Sequence, residues 1–502
     1  MHTRAVSDSQ KRLVLIACIM GSTVVTVDST VVNVALPAIR DDLGGGFAGQ
    51  QWTANAYLVT LASLILVGGS FGDTFGEKRV FSFGVAAFGV TSLMCALAPT
   101  IELLVVGRAL QGVAGALLTP AALAVIVAVF PEDERGKAVG SWTAWGAIGV
   151  VIGPLVGGQL VDTASWRWIF AINVPLVIAT MVMISRVMPE GRGAQEDARV
   201  DVTGALLCAL GLAGITFGLI RQPEVGTFAD PSVAIPLFGG IASLVGFVFF
   251  EARASHPMLP LSLFRRHNFT VGNLETLSMY AGLSLLFFFL VLFLQNAAGY
   301  SAVAAGTASV PVTVVMFVAS SRFGALADRY GPRFFMGVGP IVAAVGMALL
   351  TRVGADLSYA KDLLPPLLIF AVGLSMTVAP LTATVLSGAD ENNAGIASGV
   401  NNAIARLAGL LGVAIVGAIV AGQYGDAADT SVAAFHLAMG ISAGLVAFGG
   451  VLGLIGIRNP KLQVEATGCS GGQLSGAPRE AARIRAREEN RAAVGEQAAP
   501  AS

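Results

Sequence analysis

The sequence predicts an all-α integral membrane protein with 14 transmembrane helices: two six-helix bundles that are duplicated halves, plus two extra central spans. Composition, apolar runs of membrane length and an internal repeat all predict this fold class. Of the 502 residues, 55% are hydrophobic and only 12% are charged, whereas about a quarter of the residues in a soluble domain are charged. The net charge of -1 gives no reason to expect a nucleic-acid partner.

Apolar runs of about 18 to 26 residues are long enough to cross a bilayer as helices, and the chain contains fourteen of them. They lie at 13–37, 52–72, 80–98, 102–128, 138–161, 167–188, 202–220, 232–250, 269–295, 303–323, 334–351, 363–386, 396–420 and 433–457. No small-residue cleavage site follows the first run, so we expect a retained helix and not a cleaved signal peptide.

The distribution of Lys and Arg predicts the orientation of these spans. Most of the basic residues outside the tail fall in alternate loops, on the side of the N-terminus, and positively charged loops stay in the cytoplasm. Both termini are therefore expected to be cytoplasmic. The predicted parts are a cytoplasmic N-terminus at 1–12, an N-terminal bundle at 13–188, two linker spans with flanking loops at 189–268, a C-terminal bundle at 269–457 and a disordered cytoplasmic tail at 458–502.

An internal repeat relates two of the loops on the basic side. Both show the spacing Gly-x-x-x-Asp-x-x-Gly, with Gly69, Asp73 and Gly76 in the first copy and Gly324, Asp328 and Gly331 in the second. When the central pair of spans is set aside, each loop follows the second helix of its own half. This arrangement is typical of a duplicated transporter with a binding site between the two bundles.

Ordered motifs in four further spans carry a family resemblance. The first span holds Asp-x-Thr-x-x-Asn-x-Ala-Leu-Pro from Asp28 to Pro37, and the fourth holds Arg108 followed by Gln111 and Gly112. The fifth holds Gly140, Gly149, Gly153, Pro154, Gly157 and Gly158, and Trp-Arg-Trp-Ile-Phe-Ala-Ile-Asn-Val-Pro opens the sixth. In these motifs the chain resembles the major facilitator superfamily, and in particular its fourteen-span drug:proton antiporters of the EmrB/QacA type.

The resemblance implies a proton-coupled antiporter of the bacterial inner (plasma) membrane that exports hydrophobic or cationic small molecules, in multidrug or antibiotic efflux, by alternating access. A narrow exporter of one metabolite or of a self-made antibiotic would share every motif. A non-transporting membrane sensor is the alternative from another class, although a sensor has no need of an acid buried in the membrane. The expected partners are protons, a small-molecule substrate and the lipid bilayer, with no nucleic acid, and we expect a monomer.

Asp28 is unusual because it lies within an apolar span, where a charged residue costs roughly 2.5 to 3.5 kcal/mol on insertion scales. Asp28 comes about 15 residues into the first span and Arg108 about six residues into the oppositely directed fourth span, so at ~1.5 Å per residue both reach the outer third of the bilayer. We predict that Asp28 carries the coupling proton or helps bind a cationic substrate, with Arg108 tuning its proton affinity. The alternative is a permanent structural ion pair.

The second membrane acid is Glu275 in the ninth span, at the same depth as Arg406 in the thirteenth. Glu275 is expected either to pair with Arg406 or to act as a second proton or substrate site. Polar side chains expected in a central substrate cavity are Asn33, Gln111, Asn273, Asn401 and Asn402, although helix-to-helix hydrogen bonding is a common alternative use of such residues.

The glycines at 149, 153 and 157 form one smooth helix face, and Pro154 removes a backbone donor. The resemblance implies that they form a tight seam between the bundles, and generic helix packing is the alternative. The resemblance also implies that Asp73 docks on the positive N-terminal end of a helix in the other bundle and latches the outward-open state, with Asp328 and Arg329 in the second copy. The alternative there is a plain tight turn.

The chain shows no pattern of a metal site, cofactor or enzyme. Its four cysteines are scattered, without a CxxC pair, so neither a metal site nor a disulfide framework is expected. It has no P-loop for ATP, and we find no set of nucleophile and base.

Overall fold

The computed structural model describes residues 7–188, 201–255, 257–387, 394–421 and 428–459. Within these ranges some side chains are not described: those of Leu66 and Asp73, those of several residues between 132 and 151, and those of residues 394–395 and 428–430. Beyond residue 459, the predicted tail lies outside the described residues. The described residues form helices joined by short connections, with no strand among them.

The helices follow one another along the described chain with these bounds: α1 Asp8–Leu43, α2 Gly46–Phe75, α3 Glu77–Ala96, α4 Ile101–Val129, α5 Glu132–Thr163, α6 Trp168–Ala171, α7 Asn173–Val187, α8 Val202–Val225, α9 Pro231–Glu251, α10 His267–Asn296, α11 Ala302–Thr307, α12 Val310–Tyr330, α13 Pro332–Leu350, α14 Leu364–Ser387, α15 Ala394–Val420 and α16 Ala428–Gly456. A short 3-10 helix at Leu261–Arg265 precedes α10, and a π-helical turn at Tyr359–Leu363 precedes α14.

Twelve helical segments in the described part of the chain are long and apolar enough to cross a membrane. They include α6 with α7 as one segment and α11 with α12 as another. Two other long helices, α2 with 30 residues and α5 with 32, contain side chains that are not described. An all-helical membrane fold is therefore established, whereas fourteen spans remain a prediction.

Side-chain caps and glycines fix where several helices start and stop. Thr100 accepts a hydrogen bond from the N–H of Leu103 at the start of α4, and Asp201 accepts one from Gly204 at the start of α8. These acceptors satisfy backbone donors that have no partner inside the helix. Gly76 and Gly331 end α2 and α12 with φ of 89° and 91°, values that side chains other than glycine rarely adopt. The two copies of the repeated loop therefore make the same turn.

The same helix pairings recur in the two halves. In the first half α1 packs on α5, and α4 packs on both α2 and α3. In the second half α10 packs on α15, and α14 packs on both α12 and α13. The pairing supports duplication because the matched helices occupy matched places in the two chain segments. Between the halves in sequence, α8 and α9 pack on each other as a hairpin, and α8 also contacts α2 and α15.

Candidate functional site

The Asp28 carboxylate lies at the centre of a buried polar network. Asp28 has no exposed surface and Arg108 is 1% exposed, and a guanidinium nitrogen of Arg108 donates to Oδ2 of Asp28. The side-chain amide of Gln111 donates to Oδ1 at 3.2 Å, and its carbonyl oxygen accepts from Arg108 at 2.8 Å. The structure thus brings together the acid and the base that were expected at one depth.

Two residues from other helices complete this network. Asn173, the first residue of α7, donates its side-chain amide to Oδ1 of Asp28 at 3.2 Å and to the hydroxyl of Ser92 at 3.3 Å. Ser92, on α3, also accepts from Gln111 at 2.8 Å. Helices α1, α3, α4 and α7 are therefore tied together at one point. Together with Arg108, the two side-chain amides give the buried carboxylate three hydrogen-bond donors, from α4 and α7.

The guanidinium of Arg108 is held on its other sides by α2 and α6. Its Nε donates to the backbone carbonyl of Thr53 at 3.1 Å. Its central carbon lies 4.4 Å from the centre of the Tyr57 ring and 5.7 Å from that of Phe170, within the range of cation–π attraction. Arg108 therefore has a fixed position between the acid and the aromatic rings.

A cavity of about 390 Å³ lies between the two halves, next to this network. The first half supplies Asn33, Asn55, Tyr57, Arg108 and Pro154 among others, and the second supplies Tyr280, Phe287, Phe288, Asn402 and Arg406 among others. Ligand cavities of about 300 to 1,000 Å³ accept drug-sized molecules. The cavity is therefore the candidate binding site, and Arg108 connects it to Asp28.

Of the five polar residues expected in a cavity, two line this one: Asn33 and Asn402. Gln111 belongs to the Asp28 network instead. The side-chain amide of Asn401 donates to Oδ1 of Asn273 at 3.1 Å and to the hydroxyl of Thr276 at 2.8 Å, so these residues join α15 to α10. Asn273 and Asn401 therefore form hydrogen bonds between helices, which was the alternative expected for such residues.

Glu275 and Arg406 are separated and do not form the ion pair left open by the sequence. Both carboxylate oxygens of Glu275 are buried without a hydrogen-bond partner among the described residues. Glu275 Oε2 lies against Gly453 on α16, 3.1 Å from where a Cβ would stand. Arg406 instead lines the cavity. Equal depth does not bring two side chains together when they project from different faces of their helices.

The glycine face of α5 packs mainly within the first half. A Cβ added to Gly153 would lie 2.2 Å from Thr30 Oγ1, and one added to Gly157 would lie 2.0 Å from Val31 Cγ2. One added to Gly149 would lie 3.5 Å from the Thr23 side chain. All three glycines therefore face α1, and this corrects the expectation that they form the seam between bundles. Close packing against α1 requires them because a side chain would occupy the space of the neighbouring helix.

The seam between the halves begins one residue further along α5. A Cβ added to Gly158 would lie 2.6 Å from Val303 Cα, and one added to Gly306 would lie 2.7 Å from the carbonyl oxygen of Pro154. The Asp162 carboxylate accepts hydrogen bonds from the N–H of Ala302 at 3.0 Å and from that of Val303 at 2.9 Å. The backbone of α5 thus lies directly against α11 of the second half.

Further hydrogen bonds join the halves at the end of the bundle where α1 finishes. Gln295 on α10 donates to the Val34 carbonyl at 3.0 Å, and Gln51 on α2 donates to the Val413 carbonyl at 3.2 Å. Together with the Asp162 contacts, they join the two halves at this end. The bonds are interhelical contacts that can be broken by a rocking motion of the two halves.

The predicted latch falls largely outside what the structure describes. Nothing is described of the Asp73 side chain. In the second copy Asp328 and Arg329 are exposed, and the Arg329 guanidinium carbon lies 5.4 Å from the centre of the neighbouring Tyr330 ring. Gly69 and Gly324 lie within α2 and α12, each about two turns before the glycine that ends its helix.

Three residues of the site were missed as functional candidates: Ser92, Asn173 and Asn55. Asn173 was noted only as part of the motif that opens the sixth span. Its place in that run, a lone amide within apolar neighbours, was the available indication. Asn55 lines the cavity and has no exposed surface, and neither atom of its amide has a hydrogen-bond partner among the described residues. In the described part of the chain, no group of His, Cys, Asp and Glu is arranged to hold a metal ion.

Comparisons with known proteins agree with this architecture. The family model of the Major Facilitator Superfamily matches residues 18–413. The tetracenomycin C resistance and export protein of Streptomyces glaucescens is 32% identical over 82% of this chain and 76% of its own. The puromycin resistance protein of Streptomyces alboniger is 35% identical over 81% of each chain, and the cephamycin export protein of Amycolatopsis lactamdurans is 34% identical over 83% of this chain and 88% of its own.

The fold also matches solved structures. The structure of a D-xylose–proton symporter superposes with a TM-score of 0.64 over 90% of this chain and 98% of that one, at 14% identity. At that identity the likeness shows the fold alone. The family match covers most of the described helices and the relatives match over most of their length, so this chain is a multi-pass membrane transporter that belongs to the Major Facilitator Superfamily.

Proposed function

We propose that this transporter is a proton-coupled antiporter of the fourteen-span EmrB/QacA type, which exports hydrophobic small molecules, antibiotics among them, by alternating access. The observation that carries the proposal is the double position of Arg108. Its guanidinium binds the buried Asp28 carboxylate, and Arg108 is also one of the residues that line the cavity between the halves. A change of charge on Asp28 therefore alters the partners of a residue that a substrate would touch.

The coupling follows from the donors around Asp28. Arg108, Gln111 and Asn173 all donate to the Asp28 carboxylate. While Asp28 is without a proton, the ion pair holds Arg108 against it and leaves the cavity free for a substrate. When a proton from outside binds Asp28, the ion pair breaks and Arg108 turns into the cavity in place of the substrate, so proton and substrate occupy the transporter alternately. Each proton that moves inward down a potential of 100 mV supplies about 2.3 kcal/mol.

Glu275 is proposed as a second proton site. A charged carboxylate without a hydrogen-bond partner is strongly disfavoured in a protein interior, and Glu275 is buried without such a partner among the described residues. It neighbours Thr276 and Asn273, which bond to Asn401 on α15. A movement of α15 relative to α10 would change the surroundings of the acid during the transport cycle.

The contacts at the joined end of the bundle provide the gate. We place both termini in the cytoplasm of a bacterium and the helices in its plasma membrane, so the end closed by Asp162, Gly158 and α11 faces outward. The described conformation is then closed to the outside. In the opposite conformation, Asp73 and its counterpart Asp328 are proposed to latch the cytoplasmic side through the positive ends of facing helices.

The count of spans and the division of the chain belong to the same proposal. Helices α2 and α5 have 30 and 32 residues, enough to cross a hydrocarbon core of about 30 Å at ~1.5 Å per residue. With them the spans number fourteen: six in 13–188, two in the linker 189–268 and six in 269–457. We propose that the protein works as a monomer, since each half supplies one wall of the cavity.

The relatives support an antibiotic as cargo, because their names describe tetracenomycin C export, cephamycin export and puromycin resistance. An exporter dedicated to a single metabolite or a self-made antibiotic would use the same cavity and the same acid. A non-transporting sensor is disfavoured, because a sensor has no use for the ion pair between Asp28 and Arg108 beside a cavity.

A susceptibility screen tests the proposed function. Cells with and without the protein are exposed to a panel of antibiotics and metabolites, and intracellular accumulation is measured. We expect lower accumulation of at least one compound, reversed by dissipating the proton gradient and by Asp28→Asn. Asp41→Asn is the matched control, because Asp41 lies on the same helix but is 67% exposed. Unchanged accumulation of every compound would contradict the proposal and favour the sensor.

A further inference from the structure

The charged side chains in the cavity wall are all of one sign. Among its described lining residues, the charged ones are Arg108 and Arg406, and no acid accompanies them. The Asp28 carboxylate balances the charge of Arg108. Arg406, on α15 of the opposite half, has no ion pair or hydrogen bond among the described residues, and its Nε is buried without a partner. One positive charge in the cavity is therefore uncompensated.

The buried acid Glu275 of the second half forms no ion pair with Arg406. Glu275 is packed against Gly453 on α16 and is not part of the cavity wall. A guanidinium remains charged under all physiological conditions, and an unpaired charge in a surrounding of low dielectric is unfavourable. Since no described residue pairs with Arg406, a partner from outside the described chain would stabilise its charge.

The remaining wall indicates what kind of molecule brings that partner. Tyr280, Phe287 and Phe288 supply aromatic surface from the second half, and Asn55 supplies an amide without an internal partner from the first. Aromatic rings favour an apolar or aromatic body, and a guanidinium forms two parallel hydrogen bonds with a carboxylate-like oxygen pair.

We infer that Arg406 is a substrate-recognition residue for a carboxylate group on an aromatic or hydrophobic molecule. The cationic substrates that the sequence left open would meet an uncompensated positive charge in this cavity and are disfavoured. The inference rests on the proposed function, in which this cavity carries the cargo.

Binding to the purified full-length protein in nanodiscs tests the inference with three probes of one shape. These are anthraquinone-2-carboxylate, its methyl ester and 2-(aminomethyl)anthraquinone. The wild-type protein is expected to bind the carboxylate about tenfold or more tightly than the ester, as for a charge-assisted hydrogen bond, and to bind the amine most weakly. Arg406→Gln should remove the preference, and Arg406→Lys should retain part of it.

The matched control is Arg352→Gln, which removes an exposed arginine just after α13 and should leave all three affinities unchanged. Equal binding of the three probes, preference for the amine, absent binding of the carboxylate, or an intact preference in Arg406→Gln would overturn the inference. The ranking in the wild-type protein needs no variant, so it decides the matter even if Arg406→Gln misfolds. Equilibrium binding requires no proton gradient, so the binding assay does not depend on transport. If the proposed function is wrong, the cell assay shows it instead, because proton-dependent export is then absent.

Discussion

Gln111 holds Asp28 and Arg108 together: its side-chain amide donates to the Asp28 carboxylate at 3.2 Å, while its carbonyl oxygen accepts from Arg108 at 2.8 Å. One side chain thus satisfies both members of a buried ion pair. Ionic groups removed from water are tolerated only when their remaining hydrogen-bonding capacity is met. Gln111 and Asn173 meet that need, and this is why an acid and a base can stay fully buried beside the cavity.

Gln111→Leu is expected to destabilise the protein by about 1.5 to 3 kcal/mol, the usual value for a hydrogen bond to a charged group. The leucine leaves Asp28, Arg108 and Ser92 each short of a partner. Thermal unfolding in detergent measures the effect. Gln159→Leu, at an exposed position on α5, is the control, and equal melting temperatures for the two variants would show that the network adds nothing to stability.

Gly157→Ala is expected to destabilise the packing of α1 on α5 by about 1 to 3 kcal/mol, the usual effect of overpacking. The added Cβ would lie 2.0 Å from Val31 Cγ2, and a β-branched side chain has few alternative rotamers within a helix. Gly146→Ala on the same helix has no atom within 4 Å of the new Cβ and should be neutral or slightly stabilising. Equal stability of the two variants would argue against the close contact.

Gly158→Ala is expected to open the end of the cavity that Asp162 and α11 close. The new Cβ would lie 2.6 Å from Val303 Cα, and backbone cannot move aside as a flexible side chain can. Ala305→Cys, 2% exposed on α11, serves as a reporter in a protein without other cysteines. Labelling by a membrane-impermeant maleimide should be faster with Gly158→Ala than with Gly146→Ala. Unchanged labelling would show that the seam does not control access.

Glu275→Gln is expected to fold as the wild-type protein does, because the amide has the same shape as the carboxyl group that it replaces. If Glu275 carries a coupling proton, the number of protons exchanged per substrate falls in this variant. The ratio is measured from paired proton and substrate fluxes in proteoliposomes, with Glu102→Gln, an exposed position in the first turn of α4, as the control. An unchanged ratio would remove Glu275 from the coupling mechanism.

The sequence predicted how deep a side chain lies along its membrane span. It did not predict toward which neighbouring helix that side chain points. Counting residues from the span ends brought Asp28 and Arg108 to the same level, and the structure shows them in contact. The same count brought Glu275 and Arg406 to one level, yet one is packed against α16 and the other lines the cavity. Contact depends on which faces of two helices meet, and the tertiary packing of the bundle decides that.

For the same reason, the sequence did not predict which residues on additional helices would contact the pair of Asp28 and Arg108. Ser92 and Asn173 belong to spans that carry no charged residue at that depth, and the lone amide of Asn173 did not indicate which helix it would contact. The sequence predicted that the glycines of α5 form a smooth helix face. It did not predict that this face packs against α1 and not against the second half. The repeated loops were the most predictable feature, because Gly76 and Gly331 are required locally by backbone conformation.

Substrate-driven proton flux in proteoliposomes tests the central claim most directly. Purified protein is reconstituted with a pH-sensitive dye inside the vesicles, and a compound to which the protein confers resistance is added to one side. The wild-type protein should move protons opposite to the compound, whereas Asp28→Asn should bind the compound and move no protons, with Asp41→Asn behaving as wild type. Proton exchange that persists in Asp28→Asn would contradict the account.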